Sequence, residues 1–264
     1  MKIKFIATVI GLTASTLTAV APAFAGELVK YNSGDIAGFD ALLEELDVLE
    51  SQGFDVINTE RKNLDSDIVE QYQVDLSQLK LVDDYEVKVH FLHEGAWYRN
   101  QLGYTATGAS EQSGLIFEDI VCRESPCLTG YRGSAGAANE VLSKGDYKSL
   151  GTLEAGTQLD FFLNRDAYGR DSFDTFYTDS TLNSDFDKLP EGHAMAYAIG
   201  EYIVMGWEDI KGGGDRDYND VVFALELGQK NIDAIKDVPE PATTAALFGL
   251  GLAGVAGVRR RKQA

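Results

Sequence analysis

The sequence predicts a mainly β protein: an antiparallel β-sandwich of jelly-roll type with an N-terminal helix, a cleavable signal peptide ahead of it and a C-terminal transmembrane helix after it. Three observations carry this expectation. Short alternating or apolar runs recur from Leu79 onward, separated by Gly- and Asp-rich connectors with no helical stretch between them. One earlier stretch has helical instead of strand periodicity. No segment repeats in tandem, which removes propellers and solenoids.

The elements follow in chain order. In residues 1–25, Lys2 and Lys4 lead into the apolar run Phe5–Val20, and Ala23-Phe24-Ala25 supplies an A-x-A cleavage site, so the mature chain is expected to start at Gly26. Residues 26–78 form a helical and connector region. Within it Ile36, Phe39, Leu42, Leu43, Leu46 and Leu49 share one helical face, with Ser33 or Asp35 as the expected cap and Gly53 as the stop. Asn58–Gln73 is polar and is expected to be a connector. The sandwich is expected over residues 79–230. Tyr85, Val87, Val89 and Phe91 alternate with Asp84, Glu86, Lys88 and His90, a half-buried strand. Further strands are expected at Ala96–Ala106, Gly114–Val121, Gln158–Leu163, Phe173–Thr178, Ala194–Ile199, Tyr202–Trp207 and Val221–Leu227. Cys122 and Cys127 enclose Arg-Glu-Ser-Pro, and in an exported chain they are expected to pair, stabilising by roughly 2 kcal/mol because the loop is small. Zinc, which would need further ligands, is the alternative.

Charge restricts the partners. The 264 residues hold 23 Lys and Arg against 42 Asp and Glu, a formal charge of −19. Setting aside residues 1–25 and 239–264, which hold six bases and one acid, leaves 17 bases against 41 acids. A nucleic-acid binder needs a basic surface, and so does a protein docking on anionic lipid. Cations, neutral glycans and proteins remain.

At the far end, Val238-Pro239-Glu240-Pro241 precedes an uncharged stretch of 17 residues, 242–258, followed by the basic tail Arg259-Arg260-Arg261-Lys262. At about 1.5 Å per residue the stretch spans roughly 25 Å, a short crossing of the ~30 Å hydrocarbon core. The basic tail would stay cytoplasmic and the body outside. This three-part arrangement over residues 239–264 resembles the PEP-CTERM sorting signal of Gram-negative bacteria. The resemblance implies a transient inner-membrane span, recognition and cleavage by an exosortase near Pro239-Glu240-Pro241, and export to the cell surface or an extracellular polysaccharide matrix.

The stretch best suited to chemistry is Gly206–Asp220, where a run of glycines, Gly212-Gly213-Gly214, lies between two acidic clusters and two expected strands. Glu208, Asp209, Asp215, Asp217, Asn219 and Asp220 offer oxygen ligands, and their carboxylates repel one another unless something neutralises them. Calcium, which takes 6–8 oxygens with tolerant geometry, is the expected ion. The alternative is an acid-rich turn held by Asx hydrogen bonds and by Lys211 and Arg216. Asp215-x-Asp217-x-Asn219 imitates the start of an EF-hand loop, but Asp220 stands where that loop needs glycine and a strand follows where it needs a helix. A phosphate loop is excluded by the acids and by the lack of G-K-[ST].

Gly206-Trp207-Glu208-Asp209, followed by Gly213-Gly214-Asp215-Arg216-Asp217-Tyr218-Asn219-Asp220-Val221-Val222-Phe223, resembles the ending of the domain-of-unknown-function 4114 (DUF4114) family. Glu94-Gly95-Ala96 and Asn100-Gln101-Leu102-Gly103-Tyr104 resemble its early segment, and Leu182-Asn183 and His193 its middle, so the likeness spans about residues 79–227. It implies a β-rich exported domain and no established reaction.

Catalysis finds little to work with. His90, His93 and His193 are the only histidines, and His90-x-x-His93 on a strand should point to opposite faces. No serine elbow or catalytic cysteine context is present. Trp97, Tyr98, Tyr104 and Trp207 are candidates for stacking on sugars. The expected protein is a non-catalytic, calcium-stabilised surface or matrix component, with extracellular polysaccharide or surface proteins as partners alongside the exosortase and secretion machinery. The alternative is a glycan-binding module or a glycan-active enzyme.

Overall fold

The computed structural model of the chain describes residues 25–55, 71–96, 98–120 and 141–236. The signal segment up to Phe24, Trp97, the Cys122–Cys127 pair, Pro239-Glu240-Pro241, the 242–258 span and the basic tail lie outside the described residues. Among the described residues no helix is long and apolar enough to cross a membrane.

Among the described residues ten strands form two antiparallel sheets, as expected of a sandwich. The strands are β1 Gln73–Val74, β2 Tyr85–Glu94, β3 Gln101–Thr107, β4 Gln112–Phe117, β5 Tyr147–Leu153, β6 Gln158–Arg165, β7 Asp174–Tyr177, β8 Ala194–Ile199, β9 Tyr202–Trp207 and β10 Val221–Glu226. The six-stranded sheet has the order β1-β8-β9-β10-β2-β5 and the four-stranded sheet β4-β3-β6-β7. The chain crosses between sheets at β2–β3, β4–β5, β5–β6 and β7–β8, while β8, β9 and β10 form a meander. The inner faces meet in one core that includes Val89, Phe91, Leu102, Tyr104, Phe161, Leu163, Phe176, Met205, Trp207 and Phe223.

A third layer lies outside the larger sheet. Helix α1, Ala37–Ser51, buries Phe39, Leu42, Leu46 and Leu49. They pack with Phe54 onto Leu92, Tyr197, Tyr202, Val204 and Val222 on the outer sheet face. The helical stripe in the sequence is therefore the packing face. Its start differs from expectation. Ile36 is the N-cap residue and no side chain caps the helix. Neither Ser33 nor Asp35 serves, because Asp40 in the first turn reaches back to accept from the Gly34 N–H at 3.1 Å and from the Tyr31 hydroxyl. At the other end Gly53 sits at φ 94°, the left-handed conformation that glycine adopts without strain.

The helix explains why β8, β9 and β10 read as unbroken apolar runs: they are covered on both faces. It also corrects the histidine geometry. β2 carries one extra residue against β10 at Leu92, so His90 pairs with Ala224 and His93 with Val222, both on the helix-covered side. The period-two rule fails there because a bulge places two successive residues opposite one.

A second helix, α2 Gln229–Lys236, follows Gly228 and sends Ile232 and Ile235 into the sandwich core. Its buried Asn231 accepts from the Val82 and Asp83 N–H groups at 2.7 and 2.9 Å and donates to the carbonyls of Asp83 and Leu227. Before α1, Gly26 donates its N–H to the Ser149 carbonyl at 2.8 Å, and Val29 bridges Tyr147. The segment after the expected cleavage point thus lies along β5.

Candidate functional site

β9 and β10 pair from Trp207↔Val221 to Tyr202↔Glu226. The acidic segment is therefore the long connection of a hairpin, residues 208–220. Gly206 lets this connection fold back on the sheet, since a Cβ there would lie 2.1 Å from the Tyr218 carbonyl oxygen. Gly212, Gly213 and Gly214 have φ of 84°, 85° and 46°. They turn the chain where a side chain would be strained, and a Cβ on Gly214 would lie 2.5 Å from Glu208 Oε2. Arg216 and Tyr218 also hold positive φ, 62° and 54°, a cost that persists only where surrounding contacts enforce it. The Tyr218 hydroxyl is held by the Gly192 carbonyl at 3.2 Å.

The six expected ligands do not form one cluster. One carboxylate oxygen each from Glu208, Asp215 and Asp217 lie within 4.8 Å of one another. Glu208 Oε1 accepts the Tyr218 N–H at 2.9 Å, whereas Oε2 is buried and has no hydrogen-bond partner. Burial pushes the Glu208 pKa up to about 8. Backbone hydrogen bonds from Tyr218 and Asp217 oppose the rise, and the charges of Asp217 and Asp215 add to it. Oxygens bound to one calcium at 2.3–2.6 Å can stand up to about 5 Å apart, so the three fit a shared ion, with other positions left to backbone carbonyls or water.

Asp209 and Asp220 form a separate node. Asp209 is buried and Asp220 half-buried; desolvation raises the proton affinity of each, with the neighbouring Asp209 charge raising Asp220 further. Asp220 Oδ2 accepts the Asp209 N–H at 2.7 Å. Asp209 Oδ2 accepts from Asn100 Nδ2 at 2.8 Å, and Asn100 Oδ1 accepts the Asp166 N–H at 2.9 Å. Asn219 lies elsewhere, with its backbone and side-chain oxygens each 3.1 Å from where a Cβ on Gly95 would be and His93 Nε2 3.2 Å from the same point. His93 is buried with neither ring nitrogen hydrogen-bonded. Burial, with a contribution from the Lys144 charge, lowers its pKa to about 4.

Lys211 and Arg216 turn away from the cluster, Lys211 to Asp174 at 2.7 Å and Arg216 to Glu191 at 2.8 Å. Support comes instead from residues the sequence reading did not assign to a site. Asp185 accepts the Gly212 N–H at 2.6 Å and faces His193 Nε2 at 3.1 Å. Burial alone would raise its pKa, but those two partners bring it below the ordinary carboxylate value. His193 Nδ1 lies 2.8 Å from the Glu208 carbonyl, and Phe176 stacks on its ring at 3.7 Å. No spacing announced Asp185, because it joins the hairpin only through the tertiary fold.

Of the expected sugar-stacking residues, Trp97 lies outside the described residues and two of the others are core. Tyr104 and Trp207 are 1% and 0% exposed in the core. Tyr98 carries the Arg165 guanidinium over its ring at 4.2 Å. They read as candidates because aromatic type alone does not distinguish core from surface.

Two family comparisons match this architecture. Residues 153–228 match the domain of unknown function DUF4114. The match contains β6 to β10 and the whole acidic hairpin but not Glu94–Tyr104, so it is narrower than the likeness over residues 79–227. The early segment still meets the matched region in space, through the Gly95 N–H to the Asp220 carbonyl at 3.1 Å and through Asn100. Residues 237–262 match the PEP-CTERM protein-sorting motif. The chain carries a DUF4114-like β-rich module followed by a PEP-CTERM sorting motif, and that motif implies an exported, exosortase-processed protein directed to the cell surface. No curated protein and no solved structure matches the chain.

Proposed function

We propose that the chain is a non-catalytic component of the Gram-negative cell surface or extracellular matrix, whose sandwich is fastened by one calcium ion held by Glu208, Asp215 and Asp217. The observation that carries the reading is the buried, unpartnered Oε2 of Glu208 beside the oxygens of two further carboxylates. A buried polar atom without a partner is costly, and an ion would remove that cost while joining the two strands of the hairpin. Lys211 and Arg216 pair outward, which leaves the alternative acid-rich turn only its carboxylate-to-backbone hydrogen bonds. Asp209, Asp220 and Asn219 become supports of the loop in this reading.

The test is thermal unfolding of the exported protein with calcium, with magnesium and with chelator. At ten times a dissociation constant, linkage stabilises by about 1.4 kcal/mol. Calcium, and not magnesium at equal concentration, should raise Tm, and Asp215→Asn with Asp217→Asn should abolish the rise. A Tm indifferent to calcium and chelator, with no bound ion by calorimetry, would overturn the proposal. Processing is tested separately by intact-mass analysis of the surface form, which should lack the residues after Pro239-Glu240-Pro241. Molecules that keep Arg259–Lys262 would mean a retained anchor.

A further inference from the structure

The two outer sheet faces differ. α1 covers the six-stranded sheet, whereas among the described residues no helix covers the four-stranded one. Register defines what the open face presents. Gly103 stands opposite Phe162, which stands opposite Tyr177, and Thr105 stands opposite Asp160. The alternate residues Leu102, Tyr104, Phe161 and Phe176 point into the core. Phe162 lies across Gly103, because a Cβ there would fall 2.1 Å from its Cζ. Glycine in mid-strand gives up packing and chain entropy; here its effect is to let an aromatic ring lie along the sheet instead of standing off it. Tyr177 continues the row with its ring centroid 6.4 Å away, and both rings are half-buried.

Leu115 stands opposite Gly103 on the other side and extends the apolar strip; otherwise the groups around it are amides and hydroxyls. Thr175 donates to Asn164 Oδ1 at 2.8 Å, which orients that amide beside Gln101. Asp160 is the one carboxylate among the outward positions of β3, β4, β6 and β7, and burial, with the Asp179 charge, raises its proton affinity. On a protein of formal charge −19 the outward strand positions carry this one carboxylate, with Asp179 beside it at the margin. A polyanion would still be repelled by the whole molecule, and a basic partner would find few carboxylates here.

We infer that the open face of the four-stranded sheet binds a neutral polysaccharide, one pyranose ring lying on Phe162 and a neighbouring unit against Tyr177. A pyranose matches this surface chemically: an apolar C–H face for the aromatic strip and a rim of hydroxyls for the amides, threonines and Asp160. The inference does not depend on the calcium site.

The test is affinity electrophoresis of the full exported protein, with calcium present throughout, in gels containing galactomannan, a soluble β-glucan or polygalacturonate. Retardation is expected by at least one of the two neutral polymers, unchanged between about 50 and 500 mM NaCl because no charge pairing is involved. Phe162→Ala should weaken it about tenfold, the loss of one stacked ring. Thr105→Glu, which leaves the aromatic strip intact and adds charge to the face, should weaken it as well. Near-wild-type Tm in either variant separates lost binding from lost folding. No retardation by either neutral polymer, preference for polygalacturonate with salt sensitivity, or full binding by well-folded Phe162→Ala and Thr105→Glu proteins would each overturn the inference.

Discussion

The β9–β10 hairpin holds two carboxylate nodes a few residues apart in sequence, and they solve the same problem differently. Asp209 and Asp220 are internally satisfied: each accepts a defined N–H donor, and Asn100 ties the pair to the backbone just after β6, at the Asp166 N–H. Glu208, Asp215 and Asp217 converge with one buried oxygen left over. Both nodes crowd carboxylates, two in one and three in the other. What separates a structural node from a candidate ion site is whether donors already occupy the oxygens.

The largest expected effect tests the satisfied node. Asn100→Ala removes the donor to Asp209 and the acceptor of the Asp166 N–H together, which should cost about 3 kcal/mol and lower Tm by roughly 10 °C for a domain of this size, with or without calcium. A loss that calcium restores would merge the two nodes and break the comparison. Gly214→Ala should come next, at about 1–2 kcal/mol, because alanine is strained at φ 46° and its Cβ would lie 2.5 Å from Glu208 Oε2. Its calcium response should weaken as well.

The pH dependence sharpens the difference. Folding raises the Glu208 pKa from 4.5 to about 8, so the folded chain keeps a proton that the unfolded chain has released. Stability in chelator therefore falls as pH climbs from about 4.5 through about 8, and the Asp209–Asp220 pair acts in the same direction. His93 acts oppositely, since its pKa drops from 6.5 to about 4 and acidification through that window charges the unfolded chain first. The slopes oppose between 4.5 and 6.5, and from 6.5 to 8 only the carboxyl slope remains. Melts across pH 6.5–8 should show a falling Tm in chelator, reduced by calcium or by Glu208→Gln. A slope untouched by either would assign it to the aspartate pair alone. The smallest effect belongs to Lys211→Ala. Its ion pair with Asp174 is 48% and 37% exposed, so the cost should stay below about 0.5 kcal/mol with the calcium response intact. A lost response would return Lys211 to the cluster.

Much of the architecture was legible because it follows from burial. The α1 stripe and the unbroken apolar runs of β8–β10 are direct records of what covers them. β5 was not legible: its pairing with β2 shifts register beside Gly151, so Tyr147–Leu153 shows no clean alternation. α2 was missed because its eight residues hold only Ile232 and Ile235 as apolar anchors in the core. The bulge at Leu92 inverted the expected faces of His90 and His93. In the hairpin, sequence proximity grouped six ligands, but the division into two nodes depends on Asn100, Asp185 and His193, all distant in the chain.

The docking of Gly26 and Val29 along β5 has a consequence for how copies of this protein can associate. β5 is the outermost strand of the larger sheet, and the opposite border is β1, only two residues long. An open border strand is a template on which a second chain can add its own backbone. Here one border is partly sealed by the chain's own residues 26–29 and the other is too short to nucleate such a ladder. Neighbouring copies are thereby discouraged from joining through the backbone of this sheet. Their encounters are left to side-chain faces, which can be made selective and reversible.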